Sequence, residues 1–430
     1  MAGFDRSLLL QEESFSQDAK RILSFLEKQG TFRFPTLESG LFSAAAGEGD
    51  DFELTGYHSV WVRDNVHIAH AHLKWGERAK GEAAIKSLMT YFQKHGHRFV
   101  DVIEGRSPYA DPMQRPHIRF DGRRLAELDE KWSHAQNDAL GAFLWLASQI
   151  VLSGDRLTEN DHVLLSQFPR LFQTIQYWQD EDSGHWEEVR KIAASSIGVA
   201  VAGLQEYRKV LAEENSANRA PIRDALTMDQ IDRLIDLGRQ SLNQILPAEC
   251  LQSDPSQRRL YDSALLFLIY PYRVVTGEMA DRIVANVTTH LMGDHGIRRY
   301  LGDSYWCADY KQMLAADERT ADFSDNLEER DRLLQPGMEA QWCLFDPIVS
   351  IHYGMRFARS GEQEDYRRQI RHLQRSLYQL TRSDSRFGPY KCPESYYCEQ
   401  GKYVSNDICP LLWTQANLKL ALRFASGQSI

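Results

Sequence analysis

The sequence lacks the marks of several common protein classes. From Met1 onward its N-terminal stretch offers only Leu8 to Leu10 as an apolar run. That is too short for a secretory signal and far short of the ~20 residues of a membrane span, so a cytoplasmic location and no membrane partner are expected. Six cysteines occur with no C-x-x-C spacing, which excludes a zinc knuckle or redox pair of that type. Most should be reduced, and only the loop carrying Cys392, Cys398 and Cys409 leaves room for a metal or a disulfide. Basic residues are outnumbered 60 to 50 by acidic ones and are scattered, so the formal charge of −10 argues against nucleic acid as a partner. There is no glycine-rich phosphate loop, zinc-binding histidine pair or Gly-x-Ser-x-Gly elbow.

What is present is an ordinary globular composition, 43% hydrophobic and 26% charged, over 430 residues. Apolar spacing of helical period predicts twelve helices, near residues 17–29, 64–75, 77–95, 136–153, 158–179, 192–213, 227–246, 262–275, 278–292, 338–359, 363–382 and 410–424. No stretch alternates strongly enough to build a sheet, so the class is all-α. Long connections follow the odd helices, at 30–63, 96–135, 180–191, 247–261, 293–337 and 383–409, while mostly short ones follow the even helices. Hairpins of alternating direction bring all the long connections to one face. The helices after them are the more apolar, as in Ala139 to Leu152 and Ile192 to Leu204, whereas 227–246 and 363–382 carry a charged stripe. Six inner and six outer helices describe an (α/α)6 toroid, one domain over residues 1–430, with its pocket among the long loops. An α-solenoid would need a repeat of fixed period, and none is found.

Three stretches on that face carry candidate chemistry. In Gly184, His185, Trp186, Glu187, Glu188, two carboxylates follow a tryptophan where a loop gives way to the apolar helix at Ile192 to Leu204. Two acids at a helix start can be a dipole-favoured first turn. Beside an indole and a buried helix, however, a carboxyl loses solvation and its pKa rises toward that of a general acid. The first long loop ends in Tyr57, His58, Ser59, Val60, Trp61, Val62, Arg63, Asp64. This is either a cap with a local ion pair or a guanidinium and carboxylate that clamp sugar hydroxyls while the indole packs on the ring. The second interleaves Tyr109, Asp111, His117 and Arg119 with Trp132, Ser133, His134, Gln136 and Asp138, as carbohydrate sites do and as exposed loops also can.

Trp61 to Asp64 resembles the sugar-gripping motif of glycoside hydrolase family 15, the glucoamylase-like enzymes, whose catalytic domain is an (α/α)6 barrel. Trp186, Glu187, Glu188 resembles the family's acid motif, which implies Glu187 as general acid and Glu188 as a contact to bound sugar. Arg299, Tyr300 with Asp303, Ser304, Tyr305 is similar to the family's Arg-Tyr…Asp-Thr-Tyr loop, which implies Arg299 in substrate binding. Pro393, Glu394 precedes Leu412, Trp413, Thr414, Gln415, Ala416 as the family's base precedes its last inner helix. Glu399, Gln400 also resembles a Glu-Gln found at the base of many members, so both carboxylates stand as candidates. Trp61 to Val66, Trp132 through Ala139, Ala194 to Gly198, Gln341 to Phe345 and Pro393 to Tyr396 look nearer still to the α and β regulatory subunits of phosphorylase kinase, which carry the same domain.

The resemblance implies an inverting, exo-acting hydrolase of α-glucosides that needs neither cofactor nor metal. Glu187 would be the acid and Glu394 the base. Trp61, Arg63, Asp64, Trp132, Gln136, Trp186, Glu188 and Arg299 would bind an oligosaccharide or other glucoside. Arg63 and Glu188 are expected to help keep the base ionised. The alternative is a catalytically silent regulatory or carbohydrate-binding module. Against it, the kinase subunits' pattern has a basic residue where this chain has Glu188, and no calmodulin-binding or long regulatory sequence follows the last helix before Ile430. A sugar epimerase would instead need two catalytic histidines from among His58, His134 and His185.

Overall fold

The computed structural model describes all residues except 1–4, 48–55, 155–156, 217–223, 316–317, 321 and 323. Met1 to Phe4 and parts of the first and fifth long connections therefore lie outside the described residues. The helices are α1 (Phe15–Lys28), α2 (Val62–Lys74), α3 (Arg78–Lys94), α4 (His97–Ile103), α5 (Asn137–Leu152), α6 (Glu159–Ile175), α7 (Ala194–Ser216) and α8 (Met228–Ile245). A short 3-10 helix, Ser263–Leu268, precedes α9 (Gly277–His290), α10 (Tyr310–Met313), α11 (Leu327–Leu333), α12 (Phe345–Ser360), α13 (Gln363–Tyr378) and α14 (Leu412–Ala425).

Inner elements α2, α5, α7, the 3-10 helix, α12 and α14 pack neighbour against neighbour, and α14 returns to α2, so the ring closes. Each outer helix covers an inner one: α1 on α14, α3 on α2, α6 on α5, α8 on α7, α9 on the 3-10 helix, α13 on α12. Composition explains the two rings. On α7 every residue from Ala194 to Leu204 is buried, which only small and apolar side chains permit. On α13 the buried positions are a stripe, Asp365, Gln369, His372, Leu373, Ser376 and Leu377, with charge elsewhere. Helices α5 and α7 touch backbone to backbone, since a Cβ added at Gly141 would sit 2.7 Å from the main chain of Ala200. Capping boxes from Thr158 to Asp161 and from Thr227 to Gln230 start the outer helices α6 and α8.

Three expectations are corrected. The helix over 262–275 stops as the 3-10 turn Ser263–Leu268, because Pro271 has no N–H to continue it and disfavours helical backbone at Tyr270. The helix expected from 338 begins at Phe345, because Gln341–Trp342 is taken into a strand. Among the described residues the absence of sheet holds for the two rings but not for the connections, which carry three small antiparallel sheets. In these, β1 (Val60–Trp61) pairs with β2 (Arg119–Asp121) and that with β3 (Ala126–Glu127). Next, β4 (Cys250–Leu251) pairs with β5 (Arg258–Arg259), and β6 (Gln341–Trp342) with β7 (Ser395–Glu399), which pairs with β8 (Lys402–Ser405). Strands this short leave no readable alternation. All six cysteines are buried free thiols, so Cys392, Cys398 and Cys409 form no disulfide. Among the described residues, no helix is long and apolar enough to cross a membrane.

Candidate active site

Where the long connections meet they enclose a cleft of about 1000 Å³, part of it open to solvent at the mouth. Trp61, Arg63, Asp64, Trp132, Trp186, Glu187, Glu188, Arg299 and Glu394 all line it. They come from five separate stretches of chain, which the closed ring brings together. Gln136 does not reach the cleft surface; it is buried beneath Glu187 and donates to it.

The local setting of Glu187 differs from the one expected. It does not start a helix. Gly184–Trp186 form a 3-10 turn, Glu187 follows with φ +59°, and α7 begins only at Ala194. The intervening chain is held out of the helix by main-chain bonds between Asp182 and Lys191, and Glu249 caps α7 instead, its carbonyl and carboxylate accepting from the N–H groups of Ala194 and Ser195. Burial, not a helix end, therefore raises the Glu187 carboxyl above its ordinary range, while Arg63 and Gln136 pull the other way. Arg63 Nη2 and Gln136 Nε2 both donate to Glu187 Oε1 at 3.2 Å. Arg63 also bonds Asp138 at 2.6 Å, so its partners are these rather than the adjacent Asp64 or the expected base.

Glu188 lies on the cleft wall in a cationic nest. Its Oε2 accepts from Arg259 at 3.1 Å and from Tyr300 Oη, with Arg330 at 3.5 Å. Burial alone would raise this carboxyl, but the charges of Arg259, Lys191 and Arg299 and the Tyr300 hydroxyl bring it down to about 2. Arg299 is clamped bidentate by Asp303 at 2.6 Å and lies about 5 Å from the rings of Trp186, Tyr305 and Trp342. Trp186 Nε1 donates to Asp262 at 2.9 Å, which fixes the indole in the wall. Arg119 sits 5.0 Å from Trp61 and 4.1 Å from Trp132, and the two indoles meet edge to face at 6.0 Å, so its guanidinium helps fix both rings.

Glu394, from the sixth connection, is only 1% exposed, and burial pushes its carboxyl up to about 7 even though Tyr57 and Asn406 hydrogen-bond it. Tyr57 Oη donates to Oε1 at 2.7 Å and lies 2.8 Å from Tyr305 Oη. Asp64, also facing the cleft, is likewise pushed up to about 7 by burial, opposed by Arg63 and reinforced by the charge of Glu187. Glu399 does not line the cleft. It sits at the turn of the β7–β8 hairpin, about 16 Å of extended chain from Glu394, and accepts from Tyr397 Oη at 2.7 Å.

The histidines form no pair in the cleft. His58 is exposed, His134 is buried with its ring stacked on His117 at 3.7 Å, and only His185 lines the wall. Sequence reading passed over Tyr57, Arg259 and Asn406 as functional groups. Tyr57 and Arg259 could have been found as polar residues of the long connections; nothing in sequence singles out Asn406.

Glycosyl hydrolases family 15 matches this chain over residues 28–315. The chain belongs to that family. The matched stretch takes in Trp61 to Asp64, Trp186 to Glu188 and Arg299, whereas Glu394 lies beyond it, so its place rests on geometry. Among solved structures, a glycosidase in complex with glucose aligns over the whole of both chains with a TM-score of 0.62 at 15% identity. The glucoamylase from Saccharomycopsis fibuligera aligns over 99% of this chain and 98% of its own with a TM-score of 0.59 at 10% identity. At such identity these likenesses establish the toroid alone. By sequence, the chain is 28% identical over 273 residues to a probable phosphorylase b kinase regulatory subunit alpha of Caenorhabditis elegans, covering 57% of this chain. To the Drosophila melanogaster counterpart it is 23% identical over 397 residues, covering 83% of this chain. It spans only 21% and 29% of the lengths of those two relatives.

Proposed function

We propose that residues 1–430 act as one inverting, exo-acting hydrolase of α-glucosides, with Glu187 as general acid and Glu394 as general base. The observation that carries this reading is the unlike holding of two carboxyls, half-buried Glu187 and buried Glu394, that line one cleft from separate connections. Glu187 Oε1 accepts from Arg63 and Gln136, and among the described residues no donor meets Oε2. That suits a carboxylic acid whose proton sits on Oε2 and points at a leaving oxygen. Glu394 instead receives a hydrogen bond on each oxygen, a pattern that favours the ionised form a base needs.

Inversion requires the two carboxyls on the order of 6.5–9.5 Å apart, so that a water fits between base and anomeric carbon. Asp64 and Arg299 would grip sugar hydroxyls, with Trp61, Trp132 and Trp186 against the ring faces. Arg63 and Gln136 act through Glu187, and Glu188 keeps Arg259 and Arg330 gathered behind Tyr300. The substrate would be an oligosaccharide derived from glycogen or starch, as the likeness to glucoamylases suggests; neither metal nor cofactor is called for by this chemistry, and the protein would work in the cytoplasm.

A second reading is favoured by the sequence relatives, which are regulatory subunits: a catalytically silent module of this fold that binds carbohydrate or protein. A panel of α-linked glucosides separates the two. The hydrolase reading expects glucose release that Glu187→Gln lowers by at least about two orders of magnitude for poor leaving groups, the usual share of a general acid. Rates that Glu187→Gln leaves unchanged would remove Glu187 as acid, and no release from any member would favour the silent module.

A further inference from the structure

The β7–β8 hairpin folds with Tyr396 opposite Ser405, and this register brings Asn406 back beside the start of β7. Asn406 N–H donates to the carbonyl of Ser395 at 3.0 Å, and Glu394 N–H donates to that of Ile408 at 2.9 Å. Asn406 Nδ2 then reaches Glu394 Oε2 at 2.6 Å. Asn406 is fully buried, and among the described residues its Oδ1 meets no donor. An amide that leaves its acceptor orphaned while its donor faces a carboxylate is oriented by that carboxylate.

The next residue makes the arrangement stiff. Asp407 is buried and takes three cations from three places: Lys311 at 3.0 Å, Arg319 at 3.2 Å, and Arg386. Lys311 and Arg319 on the fifth connection and Arg386 before β7 converge on this one carboxylate, so the backbone that carries Asn406 is tied to both of those segments.

We propose that Asn406 is the positioning residue of Glu394: it fixes the rotamer of that carboxyl toward the cleft and favours its ionised form, a role that rests on Glu394 being the base. The other groups facing Glu394 are Tyr57 from the first connection, Asp64 from α2, Arg299, Tyr305 and Tyr310 from the fifth connection, and Cys343 behind it. Of these only Tyr57 shares hydrogen bonding to the carboxyl with Asn406. Arg299 acts by charge alone and is already committed to Asp303. Removing Asn406 therefore removes one of two donors that distinguish the ionised from the protonated form.

The test reads the carboxyl directly. Infrared titration follows the C=O band of protonated Glu394, assigned by its absence in Glu394→Gln, in the wild type, in Asn406→Leu and in Asn406→Asp. Asn406→Leu should move the midpoint up by about one pH unit, the worth of one hydrogen bond to a charged group. Asn406→Asp keeps the size but replaces the donor by an acceptor and should move it further, so the result does not hang on one variant folding. The acidic limb of kcat/KM should move with the midpoint, while KM changes little. A midpoint that stays put in both variants, with Glu394→Gln inactive, overturns the positioning role alone. A Glu394→Gln variant that hydrolyses as fast as the wild type removes the base itself, and the positioning role with it.

Discussion

At Glu394 the fold holds a carboxyl against the preference of water for its charge, and this leaves a mark on stability. Its value in the folded protein is about 7, against 4.5 when free, so the native state binds the proton more tightly than the unfolded chain does. The resulting stabilisation is full below about pH 4.5 and is lost as pH rises through 7. Ionised Glu394 thus costs on the order of 3 kcal/mol at pH 8. Glu394→Gln escapes that cost, because its oxygen can accept from Asn406 while its amide donates to the Tyr57 hydroxyl. Thermal unfolding of this variant should show a Tm about 2–3 °C above wild type at pH 8, with the difference closing by pH 4.5. A gain that is the same at both pH values would mean that Glu394 is not the strained group. Glu399→Gln, at the exposed hairpin end, should leave both Tm and hydrolysis where they were. If it abolishes hydrolysis and Glu394→Gln does not, the base has been placed on the wrong carboxyl. Sequence pointed to Glu187, Glu188, Arg63 and Glu394 because each sits in a short distinctive string. Asn406 could not be found that way, since only the hairpin register joins residues twelve apart into a hydrogen bond.

Among the elements, the second and third long connections are joined by one buried clasp. Arg115 donates to both oxygens of Asp180 at 2.6 and 2.8 Å, neither side chain is more than 3% exposed, and Asn137 Nδ2 at the start of α5 donates to the same carboxylate at 2.9 Å. A buried pair is not in itself a large source of stability, but breaking one strands a charge. Arg115→Leu should cost about 3–5 kcal/mol in denaturant unfolding, and adding Asp180→Leu should recover part of it. A loss below about 1 kcal/mol would show that water or a neighbour replaces Arg115 readily. Such clasps were not legible, because nothing in the order of residues pairs position 115 with 180. The helices were legible to within a few residues wherever a long apolar period existed. The exceptions have local causes, Pro271 in the fourth hairpin and the two-residue strand Gln341–Trp342 before α12.

For the whole molecule, alternation of long and short connections carried the architecture: it put the long ones on one face, and the closed inner ring then turned that face into a cleft. The same alternation says nothing about whether the cleft is used. The chain belongs to family 15 and has a glycosidase-like fold, while its sequence relatives are kinase regulatory subunits, so chemistry has to decide. The deciding measurement is proton NMR of an α-linked glucoside during the first minutes of incubation, before mutarotation. An acid and a base on separate connections, which an inverting mechanism needs far enough apart to admit a water, predict that the first sugar released is the β-anomer. Initial α-anomer would contradict the inverting acid and base assigned to Glu187 and Glu394, and no release from any α-glucoside would contradict the claim that this cleft is an active site.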